Sequence, residues 1–153
     1  MPLALRPATP ADADLVAAYN AALALESEGK VLDPGTLAAG VRAVLADPAK
    51  GVYTLAESGG EVVGQLMLTY EWSDWRNGML WWLQSVYVHQ EYRARGVFTR
   101  IYQHILDESK RNGACGVRLY VEKENQRARR TYERLGMRRA HYEMYQLDFM
   151  LGR

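Results

Sequence analysis

The segment that most constrains the fold spans residues 85–99, which read as a strand, a basic turn and the start of a helix. After Gly96, apolar residues return every three or four positions, the period of an amphipathic helix. The first turn of a helix has backbone N–H groups without helical partners and carries partial positive charge. Arg93 and Arg95 add two cations there, and Gly96 allows close approach of a ligand to the backbone. The segment therefore predicts a phosphate site.

A second strand and helix follow further along the chain. A basic turn between a strand and a helix also occurs in proteins that bind no anion, so the first unit alone leaves the question open. Residues 117–122 alternate like a strand, and residues 125–136 run from a good helix N-cap to a glycine stop. Asn125, Ala128 and Tyr132 are spaced by three and four residues, which predicts one shared helix face.

The first unit resembles the GCN5-related N-acetyltransferase (GNAT) superfamily, whose members bind acetyl-CoA. The family's phosphate loop, Gln/Arg-x-x-Gly-x-Gly/Ala, is matched at Arg93 and Gly96, with Phe98 in place of the last small residue. The preceding pattern, Val-x-Pro-x-x-Arg, is matched at Val88 and Arg93, with Gln90 in place of proline. We expect Phe98 to turn into the core and to present only its N–H to the ligand.

The second unit resembles a later motif of the same family. The pattern Asn-x-x-Ala-x-x-x-Tyr-x-x-x-Gly-Phe is matched at Asn125, Ala128, Tyr132 and Gly136, with Met137 in place of phenylalanine. The resemblance covers nearly the whole chain in the order of its elements. Two motifs at this spacing are more specific than either motif alone.

The resemblance implies an α/β (α+β) fold of GNAT type. We expect three layers, with a mixed central sheet of about six to seven strands flanked by about four helices. Helices are predicted to begin at Thr9 and Asp33, and a hairpin turn at residues 58–60. Residues 138–149 are predicted to supply the terminal strands. The chain has 153 residues, 48% of them hydrophobic, which fits a single N-acetyltransferase domain over residues 1–153.

The resemblance implies acetyl transfer to a primary amine by direct attack in a ternary complex, with acetyl-CoA as co-substrate and no metal. Val88 would donate its N–H to the developing oxyanion, and Tyr132 would be the general acid that protonates the leaving thiolate. Asn125 would contact the pantetheine arm. The residues assigned to acetyl-CoA are Val86, Tyr87, Val88, Arg93, Ala94, Arg95, Gly96, Val97, Phe98, Thr99, Asn125, Ala128 and Tyr132.

The sequence offers several candidates for the general base. Some members of the family carry a glutamate on the strand before the phosphate loop, but Trp82 stands at that position here. Glu71 and Asp74 are the candidate catalytic carboxylates, acting directly or through water. Glu122 is a further candidate. Each of these side chains also has a simpler interpretation, the solvation of a turn or strand end.

Four side chains are assigned to the acceptor substrate: Trp72, Trp75, Trp82 and Gln84. Core packing is the simpler interpretation of these aromatic residues. Alternation along the strand predicts that Trp81 and Trp82 point to opposite faces of the sheet, so they cannot share one core. An aromatic wall can hold an ammonium group by cation–π attraction, and nearby carboxylates would add negative charge. The predicted acceptor is therefore a small-molecule amine or an amino-terminal group.

Two alternative functions remain open at this point. One is a protein or peptide N-terminal or lysine acetyltransferase, and the other is a catalytically inactive CoA-binding module. The net charge of +1 argues against a nucleic-acid partner. No segment has the roughly twenty apolar residues that span a membrane. A single cysteine, Cys115, favours a cytoplasmic location. A homodimer through the terminal strands, rich in Tyr142, Tyr145 and Phe149, is a further expectation.

Overall fold

A computed structural model of the chain describes residues 2–151. Within that range it contains five β-strands and four α-helices. In chain order these are β1 (Ala4–Pro7), α1 (Ala13–Glu28), α2 (Pro34–Ala46), β2 (Val52–Ser58), β3 (Glu61–Ser73), β4 (Gly78–Val88), α3 (Val97–Arg111), β5 (Gly116–Arg118) and α4 (Gln126–Arg134). The contacts divide these residues into two compact units, one that ends at Glu122 and one that begins at Lys123.

The two N-terminal helices begin and end where local sequence chemistry predicts. A 3-10 turn at Pro10–Asp12 precedes α1, and Gly29 ends that helix in the left-handed conformation at φ 65°. The side chain of Asp33 caps α2 by accepting a hydrogen bond from the N–H of Thr36 at 2.9 Å. Proline at the first position of α2 needs no hydrogen-bond partner for its nitrogen. Both helices are therefore specified largely by their ends.

All five strands belong to one sheet in the first unit, in the order β1-β2-β3-β4-β5. The first four strands are antiparallel, and β5 runs parallel to β4. On one face, Val16 of α1 and Val41 of α2 pack with Tyr53 in a buried core. On the other face, Val97 and Ile101 of α3 lie against β3. This three-layer arrangement confirms the predicted α/β fold class.

An irregularity interrupts the pairing of β3 with β4. Gln65 pairs with Tyr87, but Met67 pairs with Gln84, so β4 carries one more residue than β3 between these points. Ser85 lies at this irregularity with φ 49°, a left-handed backbone conformation that residues other than glycine rarely adopt. Such a β-bulge bends its strand and changes the direction of the backbone beyond it.

The C-terminal prediction was wrong in part. Residues 138–149 form no strand, so the sheet within residues 2–151 has five strands instead of the expected six to seven. Alternating apolar residues predict a strand only where one face becomes buried, whereas Tyr142, Tyr145 and Phe149 are 71%, 89% and 91% exposed. Residues 138–149 therefore offer no strand edge for the expected homodimer, which stays a prediction. The prediction of one domain over residues 1–153 stays a prediction.

β5 is also shorter than the predicted strand, because only Gly116–Arg118 pair with β4. No helix between residues 2 and 151 is long and apolar enough to cross a membrane.

Candidate functional site

The predicted basic turn lies at the carboxyl end of β4 and leads directly into α3. Ala94 and Gly96 both adopt left-handed conformations, at φ 61° and 79°. The first helical hydrogen bond runs from the N–H of Arg100 to the oxygen of Gly96, so the N–H groups of residues 97–99 precede the helical ladder. A side chain built at Gly96 would meet nothing within 4 Å, so the space beside this backbone is open. These features fit an anion.

The two arginines of the turn have different environments. Arg93 forms an ion pair of 2.7 Å with Glu26 of α1, and its Nε donates to the carbonyl oxygen of Val88 at 2.9 Å. Arg95 has its guanidinium carbon 5.5 Å from the centre of the Tyr92 ring, and no carboxylate between residues 2 and 151 pairs with it. Arg93 therefore fixes the turn, whereas Arg95 keeps its charge available for an anion.

Glu26 is a site residue that the sequence analysis missed. It accepts a hydrogen bond of 2.7 Å from the Tyr87 hydroxyl as well as the one from Arg93. These two bonds lower the pKa of Glu26, while burial and the hydrogen bond to Glu26 raise the pKa of Tyr87 to about 12. The last turn of α1 is thereby attached to β4 and the basic turn. No spacing rule connects residues 67 positions apart.

The end of β4 presents a free backbone edge. The N–H of His89 donates to Val63 of β3 at 2.9 Å, while the carbonyl of Val88 accepts from Arg93 instead. The N–H and C=O of one strand residue point to the same side, and the side alternates along the strand. The N–H of Val88 therefore points away from β3. On that side, within the described chain, β5 pairs with β4 only at Leu80, Trp81 and Trp82.

Three of the predicted site residues share one face of the sheet. The indole of Trp82 donates to Glu71 at 2.8 Å, and Gln84 donates to Thr69 at 2.5 Å. Arg118 of β5 also contacts Glu71, at 3.4 Å. This is the face covered further along by α1 and α2, because Met67 on the same side of β3 packs against their core. The Glu71 carboxylate thus already holds two donors.

Three other predicted residues lie elsewhere in the first unit. Trp72 pairs with Met79 in the register of β3 and β4, which puts it on the opposite face from Glu71. Asp74 and Trp75 are exposed in the hairpin turn, with Trp75 86% exposed. Trp81 and Trp82 do point to opposite faces, as predicted, because their partners on β3 are consecutive residues. The predicted aromatic wall is therefore divided between two faces and a turn.

The second unit contains the other predicted motif. Asn125 caps α4 by accepting a hydrogen bond of 3.1 Å from the N–H of Ala128. Burial raises the pKa of Tyr132 above its usual value. The predicted cap and helix are thus present in the positions that the motif requires.

Comparison with known proteins agrees with this geometry. The profile of the Acetyltransferase (GNAT) family matches residues 18–137. A possible acetyltransferase from Clostridium difficile 630 shares 46% identity over 95% of this chain and 97% of that chain, with a TM-score of 0.89. The chain belongs to the GNAT acetyltransferase family, and it is therefore an N-acetyltransferase whose acetyl donor is acetyl-CoA.

More distant solved structures share the fold. A predicted acetyltransferase with acetyl-CoA from Clostridium acetobutylicum is 17% identical over 96% of both chains, with a TM-score of 0.78. A ribosomal-protein-alanine N-acetyltransferase from Brucella melitensis biovar Abortus 2308 is 17% identical over 97% of this chain and 99% of that chain, with a TM-score of 0.79. At this identity the likeness shows the fold alone. No curated protein matches the sequence.

Proposed function

We propose that the enzyme transfers the acetyl group to the primary amine of a small molecule, by direct attack in a ternary complex. The observation that carries this proposal is the free edge of β4, which ends in the basic turn. An extended ligand can pair with such an edge through backbone hydrogen bonds. Its phosphates would then reach the N–H groups of residues 97–99 and the cation of Arg95.

On the donor side, the N–H of Val88 is assigned to the oxyanion that develops on the thioester carbonyl. A fixed backbone donor of this kind stabilises charge without having to reorganise during the reaction. The hydrogen bond from Arg93 to the carbonyl oxygen of Val88 supports this assignment, because the bond restricts the orientation of the peptide groups on either side of Val88. Holding the thioester beside the amine also removes much of the entropic barrier.

Tyr132 is assigned as the general acid, on the strength of its place in the family motif. The amine nitrogen attacks the acetyl carbon, the carbon–sulfur bond breaks, and the thiolate takes the phenolic proton. A raised pKa keeps Tyr132 protonated at neutral pH, as this role requires. Asn125 and Ala128 are assigned to the pantetheine arm on the same basis.

On the acceptor side, we assign Trp82, Gln84 and Glu71 to the amine. Their shared face combines an indole, an amide and a carboxylate, which suits a small cationic ligand. Because Trp82 and Arg118 both contact the Oε1 of Glu71, we assign its carboxylate to accepting a hydrogen bond from the amine, and the amine loses its proton through water. Trp72, Trp75 and Asp74 receive no role in this proposal.

The test is the release of CoA thiol from acetyl-CoA in the presence of small primary amines and of peptides with free N-terminal or lysine amines. We expect release with small amines, and a Tyr132→Phe variant that still binds CoA but turns over at least about 100-fold more slowly. Release with peptides alone would establish the protein-acetylating alternative. Tight CoA binding without release for any acceptor would establish the inactive module.

A further inference from the structure

A polar side chain is fully buried between the sheet and α1. Gln65 of β3 is 0% exposed, and its Nε2 donates to the carbonyl oxygen of Ser85 at 3.1 Å. Ser85 is the left-handed residue at the bulge of β4. A buried amide therefore contacts the strand at the point where its direction changes.

The orientation of this amide is determined by its neighbours. Besides Ser85, the Nε2 of Gln65 donates to the Oδ1 of Asn20 at 3.3 Å, so both atoms that face the amide nitrogen are acceptors. Asn20 is itself fixed, because its Nδ2 donates to the hydroxyl of Tyr53 at 2.9 Å. Side chains from β2, α1 and β3 thus form one chain of hydrogen bonds that ends on the backbone of β4.

Stability alone does not explain the buried amide of Gln65. No donor between residues 2 and 151 bonds to the Oε1 of Gln65, and a buried polar atom without a partner destabilises the fold. An apolar side chain of similar size would avoid that cost but would leave the carbonyl of Ser85 and the Oδ1 of Asn20 without this donor. The amide at this position therefore serves the backbone of the bulge and not only the packing of the core.

The four residues of β4 from the bulge to its end are held at both ends by side chains. Gln65 holds the carbonyl of Ser85, and Arg93 holds the carbonyl of Val88. Between them, the hydroxyl of Tyr87 is bonded to α1 through Glu26. The peptide groups of residues 85–88 thus have little freedom to rotate.

We propose that Gln65 is a positioning residue for acetyl transfer. By holding the carbonyl of Ser85, it fixes the direction of the backbone N–H groups that follow the bulge, including that of Val88. The inference rests on the proposed function, in which the N–H of Val88 meets the thioester. It predicts that loss of the Gln65 donor slows the reaction more than it weakens cofactor binding, because residues 93–99 are left unchanged.

The first variant is Gln65→Met, which keeps the length of the side chain and removes the donor. We expect kcat to fall about 10- to 100-fold, the range that a small misplacement of reacting groups produces. The dissociation constant for CoA should change less than about 3-fold, since Arg95 and the N–H groups of α3 remain. Tyr53→Phe, a milder change further along the chain of hydrogen bonds, should lower kcat in the same direction by a smaller factor.

A second variant, Gln65→Glu, separates positioning from packing. Its carboxylate has the shape of the amide but cannot donate to Ser85, whereas the protonated acid can. Burial would raise the pKa of this carboxyl group into an accessible range. The activity of Gln65→Glu per folded molecule, relative to wild type, should therefore recover as the pH is lowered, whereas a role in stability alone would change the folded fraction and not this activity.

The matched control is Val41→Ala, a core truncation on α2 in which the replaced side chain is 3% exposed; it packs in the cluster that contains Tyr53 but takes no part in the hydrogen bonds to the bulge. It should lower the melting temperature and leave kcat of the folded enzyme close to wild type. Backbone amide spectra supply a readout that needs no turnover. The signals of Val86, Tyr87 and Val88 should shift in Gln65→Met and Tyr53→Phe, and stay in place in Val41→Ala.

Wild-type kcat together with unshifted amide signals in Gln65→Met, or in Tyr53→Phe if the first variant does not fold, would overturn the inference. If wild type releases no thiol with any amine, the proposed function fails, and the amide shifts alone decide whether Gln65 holds the bulge.

Discussion

The two halves of β4 differ in what they pair with. The first half lies between β3 and β5, with Leu80, Trp81 and Trp82 in register with both neighbours. The second half, beyond the bulge at Ser85, pairs with β3 alone among the described residues. The first half is therefore part of the sheet interior, whereas the second half offers backbone hydrogen-bonding groups to a ligand. A single strand here serves as both scaffold and binding edge, and the change falls at one irregular residue.

The largest expected loss of CoA affinity comes from the turn at the end of the second half of β4, the open half. In Gly96→Asp, a carboxylate enters the space where a phosphate would lie, at a left-handed position that strains any side chain. We expect the dissociation constant for CoA to rise at least about 100-fold in calorimetric titration.

Gly59→Asp is the matched control, because Gly59 also has a left-handed φ, 60°, and open space around it, but lies in the β2–β3 hairpin. Equal losses of CoA affinity in Gly59→Asp and Gly96→Asp would remove the basic turn from the site.

Substitutions in the first half of β4, which pairs with strands on both sides, should change the KM for the acceptor amine and not the KM for acetyl-CoA. Trp82→Ala removes the indole from the face that also carries Glu71, and we expect the KM for the amine to rise about 10-fold. The KM for acetyl-CoA should stay within about 2-fold. Trp81→Ala, on the opposite face against Tyr70, is the control, and it should change stability more than either KM. An increase in the KM for acetyl-CoA in Trp82→Ala would break the proposed division of the strand.

The two arginines of the basic turn offer a finer comparison. Arg95→Ala should weaken CoA binding about 5-fold at low salt, and the loss should shrink as salt screens the charge. Arg95→Lys should restore most of the affinity, because a point charge serves a phosphate well. Affinity that is the same in all three proteins at low salt would mean that Arg95 contacts no phosphate.

The smallest expected effect lies far from β4, at the ion pair between Arg6 of β1 and Asp12. The hydrogen bond and charge of Arg6 lower the pKa of Asp12 from 3.8 to about 2. A lowered pKa means stability that is present above pH 4 and is lost as the pH falls towards 2. Asp12→Asn should therefore cost about 1 kcal/mol at pH 7 and almost nothing at pH 2, by chemical denaturation.

Activity per folded molecule at pH 7 should be unchanged in Asp12→Asn, because this edge of the sheet has no part in the site. A change in kcat beyond the loss of folded protein would contradict that separation.

Local sequence chemistry predicted much of this molecule. The caps of α2 and α4 and the turn before α3 follow from residues that act on their immediate neighbours, such as Asp33, Asn125 and Gly96. Opposite faces for Trp81 and Trp82 follow from strand alternation. These features depend on a few consecutive residues, which is why the sequence alone specifies them.

What the sequence did not predict depends on contacts between distant segments. The bulge at Ser85 has no glycine to mark it, since its left-handed backbone is held by Gln65 from another strand. The pairing of Arg93 with Glu26 gives a residue predicted to bind the ligand a partner that no local pattern indicates. Residues 138–149 failed as strands because their alternating pattern has no buried face to define it.

In the proposed function, acetyl-CoA lies along the half of β4 beyond the bulge and in the turn after it. The most direct measurement is a titration of the labelled protein with acetyl-CoA, followed through its backbone amide signals. We expect saturable shifts at Val88 and at residues 97–99, with the signals of Leu80 and Trp81 nearly unmoved. Saturation with acetyl-CoA that leaves Val88 and residues 97–99 unshifted would contradict this placement.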